Sequence, residues 1–216
     1  MEKQNVVIIG NSGAARECYW LLRVVLQQRE DITFRGFLSF EGYKGDLREL
    51  CQTEMGVDDD YTAQSNDFFV IGIAAPGLRA KAWAKWKARG AVFMNLIHPA
   101  CIMPEKISMG EGNIITAACS FSCNVTVGNA NYFNGGVVVG HDVCIGDANL
   151  FGTYSMIMGN TVVGSRNSFG MGAAVLEKAK IGNDNTIAPG SYVYKGCRDG
   201  CLMAGNPALD ITEKSI

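Results

Sequence analysis

Residues 133–175 read FNGGVVVGHDVCIGDANLFGTYSMIMGNTVVGSRNSFGMGAAV. Phe133, Val139, Ile145, Phe151, Ile157, Val163, Phe169 and Val175 recur in it at every sixth position. Extended in both directions, the same register starts at Ile97, Met103, Met109, Ile115, Phe121 and Val127 and runs on to Ile181, Ile187 and Val193. Every one of these residues is apolar, a run with a chance of roughly 10⁻⁵ at this composition even with six registers allowed. The second position of the hexad is often glycine, as at Gly128, Gly140, Gly146 and Gly164. The fifth is small or medium, as at Cys119, Val125, Asn131, Val137, Asn149, Ser155, Thr161 and Ala173. This is the hexapeptide signature of a parallel β-helix. Each hexad supplies a short strand and a turn, and three hexads close one triangular coil. The first-position side chain fills the interior, and the fifth must be small because the corners are narrow. Glycine and asparagine relieve the turns, where positive φ is tolerated.

The chain changes character near residue 97. Residues 97–196 hold 15 of the 26 glycines but 11 of the 40 charged residues. The first 96 residues alternate strand and helix patterns instead. Val6 to Ile9 is a buried-strand run ending at Gly10, and Arg16 to Gln28 carries a helical apolar pattern. Phe34 to Leu38 and Phe68 to Ile73 are further strand candidates. Gly77 to Arg89 is an Ala/Lys-rich helix with Trp83 and Trp86 on one face, and Ala91 to Ile97 is a fourth strand. Such alternation predicts a small parallel sheet with crossover helices. The expected organisation is an α/β Rossmann-like domain over 1–96, an all-β parallel β-helix over 97–196 and a C-terminal tail over 197–216.

Composition excludes several function classes. The apolar fraction of 48% rules out disorder, and no run approaches the ~18 apolar residues of a membrane span. Net charge is −2 without a Lys/Arg cluster, whereas a nucleic-acid binder carries a basic stripe. The opening MEKQNVVIIG enters a strand-like run at once and lacks the apolar stretch and cleavage site of a signal peptide. Eight cysteines without such a signal are expected as thiols in a reducing cytoplasm. Cys119/Cys123 and Cys197/Cys201 are CxxxC pairs, readable either as a four-sulfur zinc site or as buried thiols, and buried thiols are the reading preferred. His98 and His141 are the chain's two histidines, so chemistry that needs three is excluded.

Two segments carry candidate chemistry. His141 occupies the third position of its hexad, outside the interior ladder, with Asp142 beside it. Imidazole accepts a proton near neutral pH, and an adjacent carboxylate fixes its tautomer. Gly10-Asn11-Ser12-Gly13 follows a strand and opens a helix, the context of an anion site as well as of a plain tight turn. The full GxGxxG is absent, since Ser12 and Ala15 replace glycines. His98, beside Pro99, is expected to hold a structural hydrogen bond.

Three stretches give the chain a family resemblance: Ile9-Gly10-Asn11-Ser12-Gly13-Ala14-Ala15-Arg16-Glu17, then Leu96-Ile97-His98-Pro99-Ala100, then Asn134 through Gly146. Gly205-Asn206-Pro207-Ala208 adds a weaker match. From Val6 to Ala208 the chain resembles the sialic-acid O-acetyltransferase and sugar-nucleotide N-acetyltransferase family, bacillosamine-type members included. The resemblance implies a left-handed β-helix and acetyl transfer from acetyl-coenzyme A to an amino or hydroxyl group of a sugar or sugar nucleotide. It implies His141 as general base oriented by Asp142, and a cytoplasmic homotrimer with no metal. Gly159, three hexads after His141 and so one coil above it, matches a family glycine facing the thioester; Met171, Ala188 and Pro189 are placed on a similar track along acetyl-coenzyme A. Gly10, Asn11, Ser12, Gly13 and Asn134 are implied as acceptor-binding.

Three departures accompany the resemblance. Ala14 stands where some members carry histidine, Leu150 where some carry a second prism histidine, and Ser39-Phe40 where an acidic pair often follows the second strand. Acetyl transfer is therefore better supported than a particular sugar. Sialic-acid O-acetylation is the alternative within the class, and a non-catalytic scaffold or glycan-binding β-helix the alternative outside it. A covalent route through Cys123, one coil below His141, is a lesser option. Carbonic anhydrases on the same fold need three histidines, and a pyrophosphorylase needs a longer first half.

Overall fold

The computed structural model describes residues 3–213. The first unit is a five-stranded parallel sheet in the order β3-β2-β1-β4-β5. Its strands are β1 (Gln4–Ile9), β2 (Ile32–Ser39), β3 (Glu54–Val57), β4 (Asp67–Ile71) and β5 (Val92–Phe93). Helices α1 (Gly13–Leu26) and α2 (Pro76–Ala88) are the crossovers. The middle strands are buried on both faces, with Val6, Val7, Ile8 and Ile9 all at 0% exposure, which is why they read as an unbroken apolar run. Strand order reverses between β1 and β4, so the β1–α1 and β4–α2 turns diverge from one sheet edge.

One expectation for this half needs correcting. Ala91 to Ile97 is two strands: Val92–Phe93 closes the sheet, while Leu96–Ile97 already pairs with Ile114–Ile115 in the first coil. The break has a local cause. Asn95 Oδ1 accepts from the Asn113 amide at 2.9 Å and Asn95 Nδ2 donates to the Gly110 carbonyl at 2.7 Å, drawing the chain out of one sheet and into the other. The edge strand β3, EMGV, had no readable pattern, because half its residues are exposed and one is glycine.

From Leu96 the chain winds through three parallel sheets of mainly two-residue strands, visited in turn and forming the three faces of a prism. Tyr132–Phe133, Val138–Val139 and Cys144–Ile145 illustrate the sequence of faces, each pairing with the strand three hexads away. First-position residues from Ile115 to Val193 are all buried in one continuous core. Phe133, Phe151 and Phe169 stack at centroid spacings of 4.6 and 4.8 Å. Fifth-position Asn113, Asn131, Asn149, Asn167 and Asn185 form a buried ladder, each side-chain oxygen accepting from the backbone amide of the coil above. An unpaired buried amide would cost roughly 1–3 kcal/mol, so the ladder is what makes asparagine tolerable inside. The fourth position takes the left-handed conformation, as at Asn124 (φ 57°), Asp142 (φ 58°) and Asn160 (φ 58°). The repeat shortens at the end, where Lys180 pairs with Gly196 and Thr186 with Leu202, short of the full three hexads. The segment expected as a tail adds Leu202–Gly205 and an antiparallel Ala208–Asp210 to one face.

The sheet unit sits on the prism's first face. Ile114 and Tyr132, outward residues of that face, are buried with Leu21, Leu22, Val6 and Ile8. Tyr132 donates its hydroxyl to Glu17 at 2.8 Å. Arg79 of α2 is the rivet. Fully buried, it donates to Ile71 and Ile73 carbonyls at 2.6 and 2.9 Å and to the prism carbonyls of Ala130, Gly112 and Asn131. Burial lowers its pKa to about 10, which still leaves it charged at neutral pH. The β4–α2 turn is thereby fixed relative to the coils.

Candidate active site and acceptor cavity

His141 projects from the turn after Val138–Val139, where glycine at 140 lets the chain pass under the next coil: a Cβ at 140 would lie 2.6 Å from the Gly159 nitrogen. His141 Nδ1 lies 2.7 Å from Asp142 Oδ2, with the two side chains 52% and 46% exposed. Asp142 sits in the left-handed turn position and also accepts from Asn124 Nδ2 at 3.1 Å, one coil below. The hydrogen bond from His141, and after it that from Asn124, holds the Asp142 carboxyl below the usual carboxylate range. An ionised Asp142 accepts a hydrogen bond from Nδ1–H, which leaves Nε2 as the proton acceptor. Asn124 escaped sequence reading, although its place three hexads before Asp142 was a usable signal.

The imidazole lies over Gly159. A Cβ built on that glycine would come within 2.7 Å of Nε2 and 2.8 Å of Cε1. Gly159 passes its carbonyl to Lys178 N at 3.1 Å, while among the described residues its own N–H has no backbone acceptor. The three-hexad spacing thus does stack Gly159 on His141. It does not bring Met171, Ala188 and Pro189 to the same place. These follow Ser168–Phe169 and Thr186–Ile187, strands of another face, and line the next corner, Met171 and Pro189 being exposed. Two hexads span two faces of the prism, so the similar track expected for them is a different column within one chain. Asn134 belongs to that corner too.

Cys123 is exposed one coil below His141, while Cys119 is buried, so the first CxxxC pair faces opposite ways. Among the described residues no group of three His, Cys, Asp or Glu could hold a metal ion. His98 Nδ1 accepts from the Ala100 amide at 3.0 Å. Leu150 packs between sheet unit and prism. No helix among the described residues is long and apolar enough to cross a membrane.

A cavity of about 490 Å³ opens at the edge where strand order reverses. Its walls are the β1–α1 turn (Gly10, Asn11, Ser12, Ala14), the segment after β2 (Phe40 to Tyr43) and the β4–α2 turn (Ile73 to Ala75, with Leu78). Gly10 is required there: its φ is 119°, and a Cβ would strike the Gly72 carbonyl at 2.6 Å. Gly13 begins α1 and is not on the wall, and neither is Asn134. The segment Phe40–Gly42 was not foreseen as a wall, because only the fold brings it opposite the glycine-rich turn.

A histidine–carboxylate pair on a hexapeptide prism fits the acyltransferase that the family resemblance implies. No protein-family model and no curated protein matches the sequence. Solved structures do match. The perosamine N-acetyltransferase from Caulobacter crescentus, in complex with CoA and GDP-perosamine, is 28% identical with a TM-score of 0.78, covering 95% of this chain and 96% of that one. A variant of that enzyme with histidine replaced by asparagine, with the same ligands, is 26% identical with a TM-score of 0.84 over the same shares. The acetyltransferase domain of PglB from Neisseria gonorrhoeae, in complex with acetyl coenzyme A, shares the fold at 18% identity, with a TM-score of 0.85 over 96% and 99% of the two chains. The chain thus has the hexapeptide-repeat fold of sugar N-acetyltransferases, which are its structural neighbours over nearly its whole length.

Proposed function

We propose that the protein transfers the acetyl group of acetyl-coenzyme A to the amino group of a nucleotide-linked sugar. The observation that carries this reading is the His141–Asp142 pair seated on Gly159. The acceptor amine attacks the thioester carbonyl carbon and His141 Nε2 takes the amine proton. The C–S bond then breaks, and the imidazolium returns that proton to the leaving sulfur, so coenzyme A departs as its thiol. Asp142 stabilises the imidazolium, and the free N–H of Gly159 is placed to receive the oxyanion. In this reading residues 1–96 are a Rossmann-like acceptor domain and the prism is a left-handed β-helix. The acceptor's diphosphate lies at the N-terminus of α1, where Ser12 makes no side-chain cap. Acetyl-coenzyme A lies along the prism, with the cytoplasm as the compartment that supplies it.

Mass-spectrometric screening of acetyl transfer onto amino-sugar nucleotides and sialic acids tests the reading. Turnover is expected on nucleotide-linked 4-amino sugars. Turnover of free sialic acid alone would make the protein an O-acetyltransferase, and no acetyl-coenzyme A binding by calorimetry would leave a scaffold.

Assembly follows from the same geometry. Val138 and Met158 beside His141, and Tyr154 and Met171 on the other corner, are large apolar side chains left 42–67% exposed. His141 and the Met171–Pro189 corner belong to different columns of one chain, and a neighbouring prism can present the second to the first. A homotrimer is expected, with a mass of about 70 kDa from a chain of 23.3 kDa. A monomer mass in light scattering at micromolar concentration would exclude it.

A further inference from the structure

The cavity wall contains one charged side chain, Glu41. The remainder is backbone, apolar side chains, the hydroxyls of Ser12 and Tyr43, and Asn11, whose amide is already spent on the Tyr43 carbonyl and Glu54 Oε1, both at 2.9 Å. Glu41 is held in a backbone conformation that glycine would adopt more readily, with φ 51° and ψ 34°. A buried clamp keeps it there. Asp58 Oδ1 accepts the Glu41 amide at 2.9 Å, while Asp58 Oδ2 takes Lys85 Nζ at 2.7 Å and Trp86 Nε1 at 3.3 Å. Asp58 itself is 0% exposed. Glu41 Oε1 meets Lys81 Nζ of α2 at 2.7 Å, across the cavity from the glycine-rich turn, and the side chain remains 39% exposed. A non-glycine residue fixed in this region by a dedicated buried carboxylate is the pattern of a functional position.

Resting on the nucleotide-sugar reading, we propose that Glu41 is the residue that reads the acceptor's nucleoside. Its carboxylate accepts hydrogen bonds from two adjacent donors. A carboxylate is acceptor-only and binds paired donors best, and two groups of a nucleoside offer them: the ribose diol and the N–H edge of guanine. The position suits the task. Glu41 follows the second strand of a sheet ordered β3-β2-β1-β4-β5, beside a strand–turn–helix that faces the phosphates, and in dinucleotide-binding sheets an acid in that neighbourhood holds ribose.

The test is calorimetric titration of GDP, UDP and 2′-deoxy-GDP into the native protein and into Glu41→Gln, Glu41→Gly and Lys81→Met. Glu41→Gln and Glu41→Gly are expected to weaken nucleotide binding about tenfold or more, the loss of a charge-assisted pair. Glycine also preserves the left-handed turn, so its loss cannot be ascribed to backbone. Lys81→Met is expected to stay within about twofold, since it leaves the carboxylate in place. If the loss shrinks for 2′-deoxy-GDP the diol is the partner, and if it shrinks for UDP the guanine edge is. Coenzyme A affinity, which belongs to the prism, should not move. Unchanged nucleotide affinity in Glu41→Gln, or an equal loss in Lys81→Met, would overturn the proposal. Failure of the native protein to bind any of the three would overturn the nucleotide-sugar reading beneath it.

Discussion

Replacing His141 by alanine is expected to lower turnover by roughly 10²–10⁴-fold, the usual contribution of a positioned base. Folding should survive, because His141 stands outside the interior and the core beneath it is set by Val139 and Ile145, both buried. Coenzyme A affinity should be nearly unchanged for the same reason. Asp142→Asn is expected to cost less: it keeps the base but replaces the acceptor of the Nδ1 proton, 2.7 Å away. Because the Asp142 pKa is lowered, its carboxylate is ionised in the native protein well below neutral pH and fails only when acid protonates it. Single-turnover kinetics of both variants provide the measurement. If His141→Ala kept more than about a tenth of native turnover with chemistry rate-limiting, another group would be the base. Cys123, exposed one coil below, would be examined next.

The prism could be read from sequence because each hexad obeys the same steric rule. An aliphatic or aromatic residue must point inward at the first position, and the rule leaves a mark at Phe133, Phe151 and Phe169 that no other architecture would require. Stacking by three hexads likewise placed Gly159 on His141 and Cys123 beneath it, and the same step taken from Asp142 leads to Asn124. The same regularity does not put Met171, Ala188 and Pro189 on the His141 column of one chain. Small residues recur on all three corners, and the column of each is settled only when the faces are counted. The cavity was legible only in its glycine-rich wall. Phe40 to Tyr43 and Ile73 to Leu78 reach it through β-strand order and the Asp58 clamp, long-range contacts that leave no periodic signal. The strand at Ala91 to Ile97 failed for a related reason. Its break is made by Asn95 bonding to Gly110 and Asn113, residues of a coil not yet built when the sequence is read in order.

Gly159→Ala is expected to slow acetyl transfer about as much as a misplacement of the base by an ångström does, roughly 10²-fold, while leaving the prism folded. The backbone at 159 is not among the positive-φ positions, so alanine meets no conformational penalty there. Its methyl group, however, would lie 2.7 Å from Nε2, 2.8 Å from Cε1 and 3.1 Å from Cδ2 of His141, distances no methyl and ring can share. His141 is half exposed, so the ring swings outward instead of the coils parting. The cost therefore falls on the geometry of the base and not on the core. Nε2 leaves the site where the acceptor amine is deprotonated, and the methyl group shields the Gly159 N–H from the oxyanion. Thermal unfolding should stay close to native, Asp142→Asn should cost much less in this background than in the native one, and turnover should fall in both. Native turnover in Gly159→Ala would mean that the imidazole does not work from its place over this glycine, and the proposed positions of both the base and the oxyanion donor would have to be given up together.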